Sequence, residues 1–129
     1  MPRRASSHPT EVELQILNVL WAQGASSVSR IHEALKPYRS TGLSTTLKMV
    51  QVMTEKGLVV KDDSRRPQIF RPAMSQEDAQ TGLVDDLLQR AFGGSVDKLV
   101  LRALESTKVS ESEINQIKKL IGKFERGTK

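Results

Sequence analysis

Residues 43–59 read LSTTLKMVQVMTEKGLV. Leu43, Thr46, Leu47, Val50 and Met53 recur at intervals of three and four, which sets them on one side of an α-helix. The opposite side holds Ser44, Thr45, Lys48, Gln51, Val52 and Glu55. The helix is expected to begin between Gly42 and Ser44 and to end at Lys56, because Gly57 enters a left-handed cap at little cost. Leu58-Val59-Val60-Lys61 is rich in β-branched residues; a polar run, Asp62 to Pro67, separates it from Gln68-Ile69-Phe70-Arg71-Pro72. Two short strands about a polar turn read as a β-hairpin. Pro72 closes the second strand, where an edge tolerates the loss of an N–H.

Upstream, Thr10 with Glu13 three residues on is a capping box for a first helix. Val12, Ile16, Leu17, Leu20 and Trp21 form its apolar stripe, and Gly24 ends it. Ala25-Ser26 is a candidate stub of strand. Ser27 caps a second helix, Val28 to Lys36, with Ile31, Ala34 and Leu35 inward; Pro37 stops it by pushing the preceding residue out of the helical region. The order helix, helix, helix, hairpin defines a winged helix-turn-helix over residues 10–74, with the hairpin as the wing. Residues 1–9, with Arg3 and Arg4, read as a flexible basic arm.

Downstream of the hairpin everything reads as helix. Ser75 caps a helix from Gln76 to Phe92, in which Gly82 costs about 1 kcal/mol relative to alanine. Gly93-Gly94 breaks it. Ser95 caps a helix from Val96 to Glu105, with Leu99, Val100, Ala103 and Leu104 expected to be buried. Ser110 to Glu113 is a second capping box. It opens a last helix, reaching Lys123 or Phe124, with Ile114, Ile117, Leu120, Ile121 and Phe124 on one face. Three short helices with wide apolar stripes need a surface to pack on. A second copy of residues 75–129 meets that need; folding back on the first domain is the alternative. The fold class expected is therefore mainly α with a small β-hairpin: a winged helix-turn-helix and a helical C-terminal dimerisation arm. Leu83, Leu87, Leu88, Leu99, Val100, Ile114 and Ile117 are the dimer contacts expected.

The chain of 129 residues carries a net charge of +5 and no cysteine. Residues 1–73 hold 11 Lys/Arg against 6 Asp/Glu, whereas residues 74–129 hold 9 of each. The whole excess lies in the first part, which suits a polyanionic partner there. Without cysteine there are no disulfides, thiolate metal sites or cysteine nucleophiles. No stretch of 18 apolar residues suggests a membrane span. The first nine residues lack the apolar segment of a signal peptide, so a cytoplasmic location is expected.

No catalytic pattern is present, and no cofactor is expected. There is no glycine-rich phosphate loop and no paired His and carboxylate motif. Asp62-Asp63 and Asp85-Asp86 are adjacent pairs, which do not face one another as an acid/base dyad does. His8 and His32 read as surface residues and Trp21 as a core anchor, while Tyr38 reads either as a packing residue or as a phosphate contact.

The third helix is the candidate for reading double-stranded DNA, since a helix fits the major groove and offers it three or four side chains. Ser44 and Thr45 are small enough to let its N-terminus approach closely. Lys48, one turn on, can reach a guanine edge or a phosphate, and Gln51 lies further round. Arg65 and Arg66 at the hairpin tip suit phosphates or a minor groove. Two other readings fit the same residues: a winged-helix module that binds protein rather than DNA, and a helical adaptor whose tail binds a different chain.

The stretches Thr10 to Trp21, Val28 to Leu35 and Leu43 to Val59, with Leu87 to Ser95 and Ser110 to Ile114, together resemble the penicillinase repressor family of the BlaI/MecI/CopY type. The resemblance spans about residues 9–124. It implies a homodimer that binds a palindromic operator and blocks transcription, with the tail as the dimer interface. In the family's β-lactam branch a membrane sensor protease triggers cleavage of the repressor in that tail. Two features depart from the pattern. The copper-responsive branch carries a cysteine motif, and this chain has none. Where the β-lactam branch has an Asn-Phe bond, this chain has Arg102-Ala103, so any cleavage there calls for a different protease preference.

Overall fold

The computed structural model describes residues 8–127. The basic arm with Arg3 and Arg4 lies almost wholly outside them. Six helices and one hairpin follow in order: α1 Glu11–Gln23, α2 Val28–Leu35, α3 Leu43–Lys56, β1 Val59–Asp62, β2 Ile69–Pro72, α4 Gln76–Ala91, α5 Val96–Ser106 and α6 Glu111–Gly127. The chain divides into two compact units, the first through Val84 and the second from Asp85, so the division falls inside α4.

The helices of the first unit start and stop for local reasons. Thr10 accepts a hydrogen bond from the Glu13 N–H at 3.2 Å, and the Glu13 carboxylate accepts from the Thr10 N–H at 2.9 Å. Both halves of the expected capping box are therefore made. Gly24 (φ +88°) and Gly57 (φ +82°) follow α1 and α3 at positive φ, which a side chain would strain. Ser27 caps α2 by accepting from the Arg30 N–H.

β1 and β2 pair antiparallel in the register Val59 with Pro72 and Asp62 with Ile69. Ser26 adds a third, minimal strand. Its N–H donates to the Phe70 carbonyl at 3.0 Å, and its carbonyl accepts from the Phe70 N–H at 2.9 Å. The wing is thereby tied to the turn between α1 and α2. Around this frame Ile16, Leu17, Leu20, Ile31, Leu35, Val50, Met53, Leu58, Val59 and Phe70 form one buried core. Trp21 packs against it, and its indole N–H donates to the Met74 carbonyl at 3.0 Å, as an aromatic anchor with a polar end should.

The structure corrects the expected inner face of α3. Thr46, Val50 and Met53 are buried, but Leu43 is 50 % and Leu47 41 % exposed. The core beneath is filled by side chains from α1, α2 and the hairpin, so only the side of the stripe that carries Thr46, Val50 and Met53 goes in. His32 is not a plain surface residue either: it is half-buried, with Nδ1 2.9 Å from the buried Thr46 hydroxyl. Tyr38 stands out from the surface.

In the second unit, Gly93 and Gly94 take positive φ between α4 and α5. Ser95 caps α5 by accepting from the Lys98 N–H, and Ser110 accepts from the Glu113 N–H at the start of α6. Only the hydroxyl's half of that second capping box is made. α6 continues to Gly127, beyond the expected end. Neither α5 nor α6 has a buried residue. Leu99 and Leu104, expected to be buried, are half-buried, and Val100 and Ala103 are exposed. Within the second unit α5, α6 and the end of α4 thus leave their apolar faces without a closed core.

Candidate nucleic-acid interface

α3 is held from three sides. Val50 and Met53 seat it in the core. Thr46 ties its first turns to α2 through His32. At its far end the Lys56 ammonium donates to the Glu13 carboxylate at 2.7 Å. Burial alone would raise the Glu13 carboxyl; the hydrogen bonds from Lys56 and from the Thr10 N–H, with the charge of Lys56, outweigh it and hold the group below its ordinary range. Glu13 therefore stays ionised and the tether holds at neutral pH.

With α3 fixed, its outer face is determined. At about 100° per residue, Ser44, Lys48 and Gln51 fall within a narrow arc opposite the core, and Thr45 stands to one side. All four are exposed. Among the described residues none of the four side chains is engaged in a hydrogen bond or ion pair. Gly42, the residue before α3, offers no side-chain cap, so the first N–H groups of α3 remain open at the end where Ser44 and Thr45 lie. Glu55 shares the arc one helical turn beyond Gln51. It marks the limit of the face, since a carboxylate repels phosphate.

The hairpin supplies a second surface. Asp62 accepts from both the hydroxyl and the N–H of Ser64, at 2.6 and 2.9 Å. These bonds hold its carboxyl below the ordinary aspartate range, with the charges of Arg65 and Arg71 adding to the effect. The turn so formed carries Arg65 and Arg66 exposed at its tip. Lys61 lies 4.0 Å from Asp63. Between wing and helix runs a cleft lined by Leu47, Gln51, Thr54, Glu55, Lys61, Gln68 and Phe70. Sequence reading did not single out Lys61, Gln68 or Leu47 for this surface. The two-residue alternation of the strands places Lys61 beside the tip, but only the packing of wing on helix brings it opposite Gln51.

In the second unit, Leu87 and Val100 are exposed, and Leu88, Leu99, Ile114 and Ile117 are half-buried, as is Leu83 at the end of the first unit. Leu101, Leu120, Ile121 and Phe124 add further exposed apolar surface. Arg102 and Ala103 lie within α5, both exposed, and Arg102 donates to Glu105 one turn on. Among the described residues no cluster of His, Asp or Glu is arranged to hold a metal ion, and no helix is long and apolar enough to cross a membrane.

Three helices, a hairpin and a polar outer face on the third helix define a winged helix-turn-helix. The model of the penicillinase repressor family matches residues 9–123, and the chain belongs to that family. Its similarity to individual members is low but runs nearly end to end. The transcriptional regulator BlaI of Mycobacterium tuberculosis is 24 % identical over 91 % of this chain and 85 % of its own length. The penicillinase repressor of Bacillus licheniformis is 20 % identical over 87 % of this chain and 88 % of its own. The methicillin resistance regulatory protein MecI of Mammaliicoccus sciuri is 18 % identical over 88 % and 93 %.

Proposed function

We propose that the protein is a homodimeric repressor that binds a palindromic operator in double-stranded DNA. α3 enters the major groove, with Ser44 and Thr45 close to the backbone and Lys48 and Gln51 at base edges. Arg65 and Arg66 hold the flanking phosphates or minor groove. The observation that carries this reading is the outer face of α3: four exposed polar residues without an engaged side chain, beside a wing whose tip is two arginines.

Residues 75–129 act as the dimerisation domain through Leu83, Leu87, Leu88, Leu99, Val100, Ile114 and Ile117. The absence of any buried residue in α5 and α6 supports this, since these apolar side chains gain only against another surface. A two-fold dimer sets two copies of α3 on half-sites about 34 Å apart or a multiple of that. Each half-site contact is weak alone, and linkage multiplies them. Derepression follows from losing the tail: proteolysis at or near Arg102-Ala103, by a membrane sensor protease or another, separates the readers. Because that bond lies inside α5, the protease must capture it unwound. The protein acts in the cytoplasm, where its operator is.

The test is a fluorescence-anisotropy titration of the full chain on its own upstream promoter, against scrambled DNA, at two salt concentrations. Tight, sequence-selective binding that weakens with salt is the expected result. Equal, salt-insensitive binding to both duplexes would favour a protein-binding role for the winged helix.

A further inference from the structure

We infer that Leu47 gives each operator half-site a preference for thymine, by packing against the 5-methyl group in the major groove. The inference rests on the reading of α3 as the groove-entering helix and deepens it.

Round α3, Leu47 lies between the buried Val50 and the exposed Gln51, about 40° from Gln51. It is 41 % exposed. It cannot retreat inward, because Val50 and Met53 are fully buried and Phe70 is 3 % exposed, so the space beneath is taken. It lines the cleft between α3 and the hairpin, with Gln51 on its own helix and Lys61 and Gln68 on the wing. A single exposed leucine is ordinary on a protein surface. This one stands beside the amide best placed to hydrogen-bond a base, and beside a cation suited to phosphate.

The chemistry of the major groove then selects the occupant. Its edges are hydrogen-bonding groups apart from one apolar feature, the methyl of thymine. An apolar side chain in that position gains nothing from a guanine, adenine or unmodified cytosine edge and loses its own hydration against each. Against a thymine methyl both surfaces leave water together. Gln51 reads polar atoms, and Leu47 reads the methyl beside them.

The experiment uses the full chain and a duplex that the protein itself enriches from a randomised pool. A thymine at one fixed position in each half-site is expected. Replacing it by deoxyuridine, which lacks only the methyl, should weaken binding roughly fourfold for one half-site and on the order of tenfold for both. Leu47→Ala should bind the two duplexes alike, and Leu47→Gln, which keeps the bulk, should do the same. Lys48→Ala should bind more weakly yet keep the penalty. If the wild type selects an operator but tolerates deoxyuridine at every thymine, or if Leu47→Ala keeps the penalty, Leu47 has no such role and α3 remains the reader. If no sequence is enriched, the reading of α3 fails and the inference with it.

Discussion

The Glu13 carboxylate and the Lys56 ammonium meet at 2.7 Å although 43 residues separate them in sequence. The contact joins the first turn of α1 to the last residue of α3. Glu13 thus does two jobs: one oxygen closes the cap of its own helix on the Thr10 N–H, and the other holds the far end of the helix that carries the outer polar face. Its carboxylate is 9 % exposed, and the lysine is 34 % exposed. The pair is therefore less screened than a surface ion pair.

Lys56→Ala should leave the Glu13 carboxylate buried with only its cap partner. A loss of about 1–2 kcal/mol in unfolding free energy is expected, after allowing for the lysine's partial exposure. Glu13→Gln should lose less, since the amide oxygen can still accept from Thr10. Urea denaturation of the two single variants and the double variant checks this; additive losses would show that the contact contributes nothing.

The same pair sets an acid limit. Glu13 has its folded pKa below the ordinary value of 4.5, so its contribution to stability is present above that value. It is lost as the pH falls through the lower, folded pKa. Wild-type stability should fall more steeply than that of Glu13→Gln as the pH drops below about 4.5. Parallel pH profiles of the two proteins would contradict the assignment.

Lys48→Ala should weaken operator binding by about 1–3 kcal/mol if the ammonium reads a base, with little effect on scrambled DNA. Arg65→Ala together with Arg66→Ala should weaken all sequences alike and reduce the salt slope by roughly one to two units. Titrations at several salt concentrations separate the two kinds of contact. A wing variant with altered base preference and an unchanged slope would reverse the assignment.

Leu99→Asp with Ile117→Asp should convert a dimer into a monomer on sedimentation and sharply reduce operator affinity, through lost linkage. Both positions lie in the second unit, so the melting of the first unit should change little. Operator affinity unaffected by the pair would place the dimer contacts elsewhere.

Gly57→Ala places a side chain at φ +82° with open space around it. The cost is the backbone's alone, about 1 kcal/mol. Thermal melting measures it, and a much larger loss would mean that the junction of α3 and β1 tolerates no relaxation.

Elements set by neighbouring residues were legible. Thr10 with Glu13, Gly24, Ser27, Gly57 and the Gly93-Gly94 pair each fixed a helix end by local chemistry. The polar turn between β1 and β2 announced the hairpin. Residues at helical spacing placed Ser44, Lys48 and Gln51 on one face. Other features depended on distant partners. Nothing near His32 in the chain points to the Thr46 hydroxyl, and nothing near Leu47 says that the core below it is already full. Within one chain Leu99 and Leu104 are only half-buried and Val100 and Ala103 are exposed, for a related reason: a stripe shows that a helix has an apolar side, not what lies across from it.

The sequence by itself determined the order of helices and strands and most helix ends, because capping, turn geometry and periodicity act over a few residues; the basic first half is plain in its composition. The tertiary structure decided which of those faces are shut and which stay open. It paired Glu13 with Lys56, tied Ser26 to Phe70, filled the space under α3 and so left Leu47 beside Gln51 at the cleft. Such outcomes depend on volume shared among side chains far apart in the chain, and volume is settled only when the whole core is assembled.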